Sequence, residues 1–153
     1  MDSRTAFELA DIDAVGQGAL AASGDVSAAE LLEAAIIRLE AGRGLNAVIT
    51  DLFERGRADA AALDGSGVLR GGGKGPLAGV PFLIKDIGAS LAGTPEAMGS
   101  RALRTHVAQD TAWIVERYLD AGLVIFGKTN TPEFGVMPVT ESTLLGPCRN
   151  PWD

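Results

Sequence analysis

The sequence holds one cysteine, one histidine and one tyrosine in 153 residues. A lone cysteine, Cys148, excludes an internal disulfide and any metal site built on several cysteines. His106 alone cannot build a histidine metal site, and it lies in a polar stretch with no sign of pairing with Cys148. Cys148 therefore reads as a small buried or half-buried thiol rather than a nucleophile, and neither a metal nor a cofactor is expected. Long apolar runs are missing too: none approaches the ~18 residues of a membrane-spanning helix. The opening MDSRTAFELADID carries acids where a signal peptide would carry a basic and then an apolar stretch. A soluble, cytoplasmic protein without a membrane partner is expected. Basic runs are also absent, and the formal net charge is -7, so nothing is present to neutralise a phosphate backbone and no nucleic-acid partner is expected.

What is present is globular. A hydrophobic fraction of 46% with 22% charged residues, free of low complexity and of internal repeats, fits one domain with a continuous core. Residues 5–22 place Phe7, Leu9, Ile12, Val15 and Leu20 among acids and small residues, which predicts a helix. Ser27-Ala28-Ala29-Glu30 is a capping box for the next one, whose apolar stripe runs through Leu31, Leu32, Ala35, Ile36 and Leu39 and ends near Gly42. LNAVI, residues 45–49, predicts a strand, and residues 51–63 a further helix with Asp51 and Glu54 as a second capping box. DGSGVLRGGGKG, residues 64–75, has no periodicity and predicts a flexible loop. GVPFLI, residues 79–84, predicts a strand ending on Lys85-Asp86. After a polar connection, Asp110 is placed to cap a helix presenting Ile114, Val115, Tyr118 and Leu119 on one face and closed by Gly122. LVIF, residues 123–126, is apolar on both faces and predicts a central strand of a parallel sheet, so that strand, helix and strand form a right-handed βαβ unit.

GLVIFGKT, residues 122–129, matches the phosphate-loop pattern G-x-x-x-x-G-K-[ST]. In a phosphate loop the variable residues form the loop itself, between a strand and a following helix, so that backbone amides curl around phosphate oxygens. Here those residues are Leu, Val, Ile and Phe, which belong in a buried strand, and the helix precedes the motif. Pro132 leaves room for only a short helical turn after Thr129. A P-loop nucleotide-binding protein is thus a remote alternative. Gly127 reads as the residue that lets the chain turn, with Lys128-Thr129-Asn130 opening a loop.

Three lysines remain, Lys74, Lys85 and Lys128. Lys74 sits in the glycine loop. Lys85 terminates an apolar run, where a strand inside a sheet would carry its ammonium group toward a poorly solvated place. Desolvation disfavours the charged form, and a downward shift of about three units would raise the neutral fraction at pH 7 from about 0.04% to roughly 30%, enough for a general base. The ordinary reading, a strand-end lysine snorkelling to water or paired with Asp86, is the one that composition alone prefers.

AGVPFLIKD (78–86), AGLVIFGKTNTPEFG (121–135) and GPCRNPWD (146–153), in that order and spacing, resemble the N-terminal part of amidase signature enzymes. The resemblance runs from about Ser27 to the last residue, which leaves 1–26 as an N-terminal helical extension and 27–153 as the N-terminal part of a single domain. It implies an α/β fold, a mixed and mostly parallel sheet surrounded by helices, incomplete in this chain. It also implies a Ser, cis-Ser, Lys triad in which Lys85 is the catalytic lysine, reversing the preference from composition. Both triad serines would lie beyond Asp153, since none of Ser3, Ser23, Ser27, Ser66, Ser90, Ser100 or Ser142 stands in a matching glycine-rich context. Four expectations follow: a parent protein that hydrolyses small-molecule carboxamides, an inactive 1–153 chain, no cofactor, and apolar sheet edges whose exposure favours a homodimer or other self-association. PEFG after GKTNT resembles general amidases more than the amidotransferase component of the transamidosome. The alternative is a noncatalytic module or a subunit of an amidotransferase-like complex. Asn130, Thr140 and Glu141 fall in loops near the expected site, where turn and strand-end hydrogen bonding is at least as good an account of them.

Overall fold

A computed structural model describes residues 2–152. The chain gathers into two compact units. The first comprises the N-terminal part up to Ala41 with Leu52–Phe82 and Arg117–Phe126; the second comprises Gly42–Asp51, Leu83–Glu116 and the part from Gly127 onward.

The first unit is mainly helical. Residues 5–22 form two helices, not one: α1 (Ser3–Glu8) and α2 (Ala14–Ser23), with a 3-10 turn at Leu9–Asp11 between them. The break follows from two caps, Asp2 accepting from the Thr5 amide and Asp13 from the Gly16 amide, each of which starts its own helix. Gly24, at φ 83, closes α2 in the left-handed conformation. Helix α3 (Ala28–Ala41) follows, and its capping box forms as expected. The Glu30 amide donates to Ser27 Oγ, and the Ser27 amide donates to Glu30 Oε2. Two more free amides at this end, those of Ala28 and Ala29, donate to the Asp64 carboxylate at 2.9 and 3.1 Å. Leu31, Leu32 and Ala35 are buried along the expected stripe, and Arg38 Nη1 donates to the Ala6 carbonyl, joining α3 to α1.

Helix α4 (Phe53–Ser66) starts two residues later than the sequence suggests, and the second capping box is absent. Asp51 is instead the last residue of β1 (Val48–Asp51), where Arg43 holds its carboxylate at 2.6 Å, while Glu54 pairs with Arg57. The strand over 45–49 is displaced likewise: Arg43–Leu45 form a 3-10 turn, Asn46 takes φ 53, and pairing begins only at Val48. The glycine loop shortens, because α4 runs to Ser66 and Arg70–Gly72 form another 3-10 turn.

The strands β2 (Pro81–Lys85) and β3 (Val124–Thr129) each contribute residues to both units. They belong to a three-stranded sheet of order β1-β3-β2. Hydrogen bonds climb β2 and β3 in the same direction, from Gly79 with Gly122 and Val80 with Val124 to Asp86 with Thr129, which makes this pair parallel. Between β1 and β3 the pairing is antiparallel, with Asp51 opposite Gly127. β3 is therefore central among the described strands, as its two-faced apolar sequence predicts, and Val124, Ile125 and Phe126 are buried. Gly127 lies inside the strand and makes no turn. A Cβ there would stand 3.0 Å from Leu83 Cδ2 and 3.1 Å from the Thr50 carbonyl oxygen, so its smallness is needed for close approach within the sheet. Helix α5 (Trp113–Asp120) starts past Asp110, which does not cap it, and ends at Gly122 with φ 80 as expected. A short hairpin of β4 (Glu141–Ser142) and β5 (Gly146–Pro147) completes the second unit.

Candidate active site at the carboxyl ends of β2 and β3

In a parallel pair the loops leaving the carboxyl ends of the strands gather the chemistry. Here the strand ends and the residues just past them are Lys85-Asp86 from β2 and Lys128-Thr129-Asn130 from β3, all in the second unit. Strand alternation sends neighbouring side chains to opposite sides, and Lys85 and Asp86 separate accordingly. Lys85 is exposed, and its side chain makes no ion pair among the described residues, whereas Asp86 is buried. This corrects two expectations drawn from position: Lys85 is not in a poorly solvated place in this chain, and Asp86 is not its partner.

The buried lysine is Lys128. It is 0% exposed, and its Nζ lies 3.4 Å from Asp86 Oδ1 and donates to the Pro95 carbonyl at 2.7 Å. Asp86 is 1% exposed; its Oδ2 accepts from the Ala97 amide, and its Oδ1 has the ammonium group as a charge partner without a hydrogen bond. Burial pushes the Asp86 carboxyl above the ordinary carboxylate range, and the Lys128 charge and the Ala97 amide oppose that shift. Sequence reasoning missed this pair by treating Lys128 as the opening of a loop. Its signal was present: Lys128 continues the apolar run of β3 without a break, as Lys85 ends that of β2.

The helix-before-strand order rules out the phosphate-loop geometry, since β3 carries the motif and only a 3-10 turn at Glu133–Gly135 follows it. Asn130 is a buried loop organiser: its Nδ2 donates to the Asn46 and Gly146 carbonyls, and its Oδ1 accepts from the Thr131 amide. The Thr140 carbonyl accepts from the Cys148 amide, and Glu141 is exposed in β4; hydrogen bonding and strand ends account for all three residues. Cys148 is exposed, contrary to the buried thiol expected of it, because it lies beyond the short hairpin. His106 is also exposed. Backbone strain gathers in the same unit. Met98 and Phe134 both take left-handed φ values, 49 and 50, and the Phe134 amide donates to the Met98 carbonyl at 2.9 Å. Among the described residues no group of three or more His, Cys, Asp and Glu side chains is placed to hold a metal ion.

The model of one protein family, Amidase, matches residues 30–153. The chain belongs to the amidase family, and its fold is that of the amidase signature enzymes. It is 44% identical over 131 residues to a glutamyl-tRNA(Gln) amidotransferase subunit of Deinococcus deserti, covering 86% of this chain and 26% of that one. It is 38% identical over 144 residues to a 6-aminohexanoate-cyclic-dimer hydrolase of Paenarthrobacter ureafaciens, covering 92% and 27%. Among solved structures, a bacterial aryl acylamidase of the amidase signature family superposes with a TM-score of 0.83 at 32% identity, covering 92% of this chain and 29% of that one. The chain thus spans about a quarter of the length of these relatives. Amidotransferase subunits and amide hydrolases both occur among them, so the preference drawn from PEFG for general amidases gains no support from identity.

Proposed function

We propose that this sequence is the lysine-bearing part of an enzyme that hydrolyses carboxamides. The observation that carries this reading is the family match over 30–153, which includes the β2 end where Lys85 stands. In the complete enzyme Lys85 would act as general base through a bridging serine on a nucleophilic serine, both supplied by sequence outside this chain. The nucleophile would add to the amide carbonyl, the amine would leave with a proton, and water would release the acyl group as an acid. The exposure of Lys85 fits this division, because an exposed ammonium group stays hydrated until further structure covers it. The 1–153 chain alone is accordingly expected to be inactive.

The test is ammonia release from simple carboxamides by the full-length protein, by its Lys85→Ala variant and by 1–153 alone. Activity in the first only is expected. Hydrolysis by 1–153, or by Lys85→Ala at the parent rate, would overturn the assignment. The 44% identity to an amidotransferase component favours one second reading, a subunit whose hydrolysis depends on a partner chain. Activity that appears only when partner subunits are added would select it.

A further inference from the structure

The serine and lysine chemistry proposed above gives Lys128 no part, yet it is the largest fully buried side chain among the described residues. A buried ion pair survives its desolvation cost when further hydrogen bonds satisfy it. Lys128 and Asp86 both direct theirs to one stretch of backbone, the Pro95 carbonyl at 2.7 Å and the Ala97 amide at 3.2 Å. Immediately beyond lie Met98 at φ 49 and Gly99 at φ 69, and a Cβ on Gly99 would stand 2.8 Å from the Thr131 carbonyl oxygen. Left-handed backbone at a non-glycine residue persists only where its surroundings over-determine it. The ion pair holds this segment from the strand ends, and the hydrogen bond from Phe134 to Met98 holds it from the turn after β3. Asp86 also follows Lys85 directly, and its amide donates to the Thr129 carbonyl at 3.2 Å, so one anchor fixes the backbone that carries Lys85.

We propose that Lys128 is a positioning residue: paired with Asp86, it clamps residues 95–100 to the carboxyl ends of β2 and β3 and thereby sets the place of Lys85 without touching substrate. The proposal rests on the reading of Lys85 as general base. Misplacement of a catalytic group by about 1 Å costs roughly 10²-fold in rate.

Three variants of the full-length protein test it: Lys128→Met, Asp86→Asn with Lys128→Met, and Lys85→Ala. Lys128→Met is expected to lower kcat roughly 10²-fold with little change in KM, the mark of a lost transition-state alignment. The double variant removes the uncompensated carboxylate. It is expected to regain thermal stability while kcat stays low, because the Pro95 carbonyl then has lost its ammonium donor and only the bridge to Val107 holds that residue. Return of kcat together with stability would overturn the clamp and leave Lys128 a purely structural residue. A readout independent of activity is amide hydrogen exchange: in Lys128→Met the Ala97 amide is expected to exchange at least about tenfold faster relative to the Ile125 amide of β3, a local opening rather than a global one. An unchanged ratio would also overturn the clamp. If Lys85→Ala stays active while the exchange ratio rises, the role given to Lys85 fails and the clamp stands.

Discussion

At the residue scale, the chain separates its two strand-end lysines by environment. Lys128 is enclosed and paired; Lys85 stands in water. Removing one partner of a buried pair leaves an uncompensated charge, so Lys128→Met is expected to destabilise the protein by about 3 to 5 kcal/mol at pH 7 in urea unfolding. The sign of its pH dependence follows from Asp86. A carboxyl whose pKa is raised in the folded state adds stability below the unfolded value of 3.8, and that contribution is lost as pH rises through the folded value. Loss of Lys128 removes an influence that lowers this pKa, so the deficit of the variant is expected to shrink between pH 7 and pH 4. A deficit that grows on acidification would contradict the account. Lys85→Ala in the 1–153 chain, by contrast, should change stability by no more than about 0.5 kcal/mol, as for an exposed side chain with no ion-pair partner among the described residues.

At the scale of elements, tight local approach decides which substitutions matter. A Cβ on Gly18 of α2 would lie 2.0 Å from the Pro76 carbonyl oxygen, and backbone cannot yield as a side-chain tip can. Gly18→Ala is expected to cost at least about 1 to 3 kcal/mol by thermal or urea unfolding, as overpacking does. Asp64→Ala would strand the two amides it caps at the start of α3, at a cost of about 1 to 2 kcal/mol by the same measurement. Neither effect is legible in the sequence, because Gly18 and Pro76, like Ala28 and Asp64, meet only through the fold. The legible elements are those whose signals are local. LVIF with Gly122 before it predicts β3 and its start, and Ser27 with Glu30 predicts the beginning of α3. The second capping box does not form because sheet pairing claims Asp51, and residues 5–22 divide into two helices because two aspartates offer separate starts. For the site, the apolar run before Lys85 predicts its place at a strand end, but its exposure and the burial of Lys128 depend on which side of each strand is covered.

On the scale of the whole molecule, large apolar side chains are left in water at several places, among them Val15, Trp113 and a group just after β3. Phe134, Val136, Met137 and Val139 are exposed, Val136 by 76%, and Trp152 by 92%. β1 and β2 are also the outer strands of the three-stranded sheet among the described residues. Such surface favours association. The 1–153 chain is expected to sediment with a weight-average mass that rises with concentration, and Val136→Asp to reduce that rise. A single monomeric species across the same concentrations would count against it. No described helix is long and apolar enough to cross a membrane.

The central claim is that this chain supplies the lysine of an amide-hydrolysing enzyme. It is tested most directly by the steady-state rate of carboxamide hydrolysis by the full-length protein with and without Lys85→Ala. Loss of a general base predicts a fall in kcat/KM of about 10² to 10⁴-fold in a variant that still unfolds in one cooperative step. A Lys85→Ala variant that folds and hydrolyses carboxamides at the parent rate would contradict it.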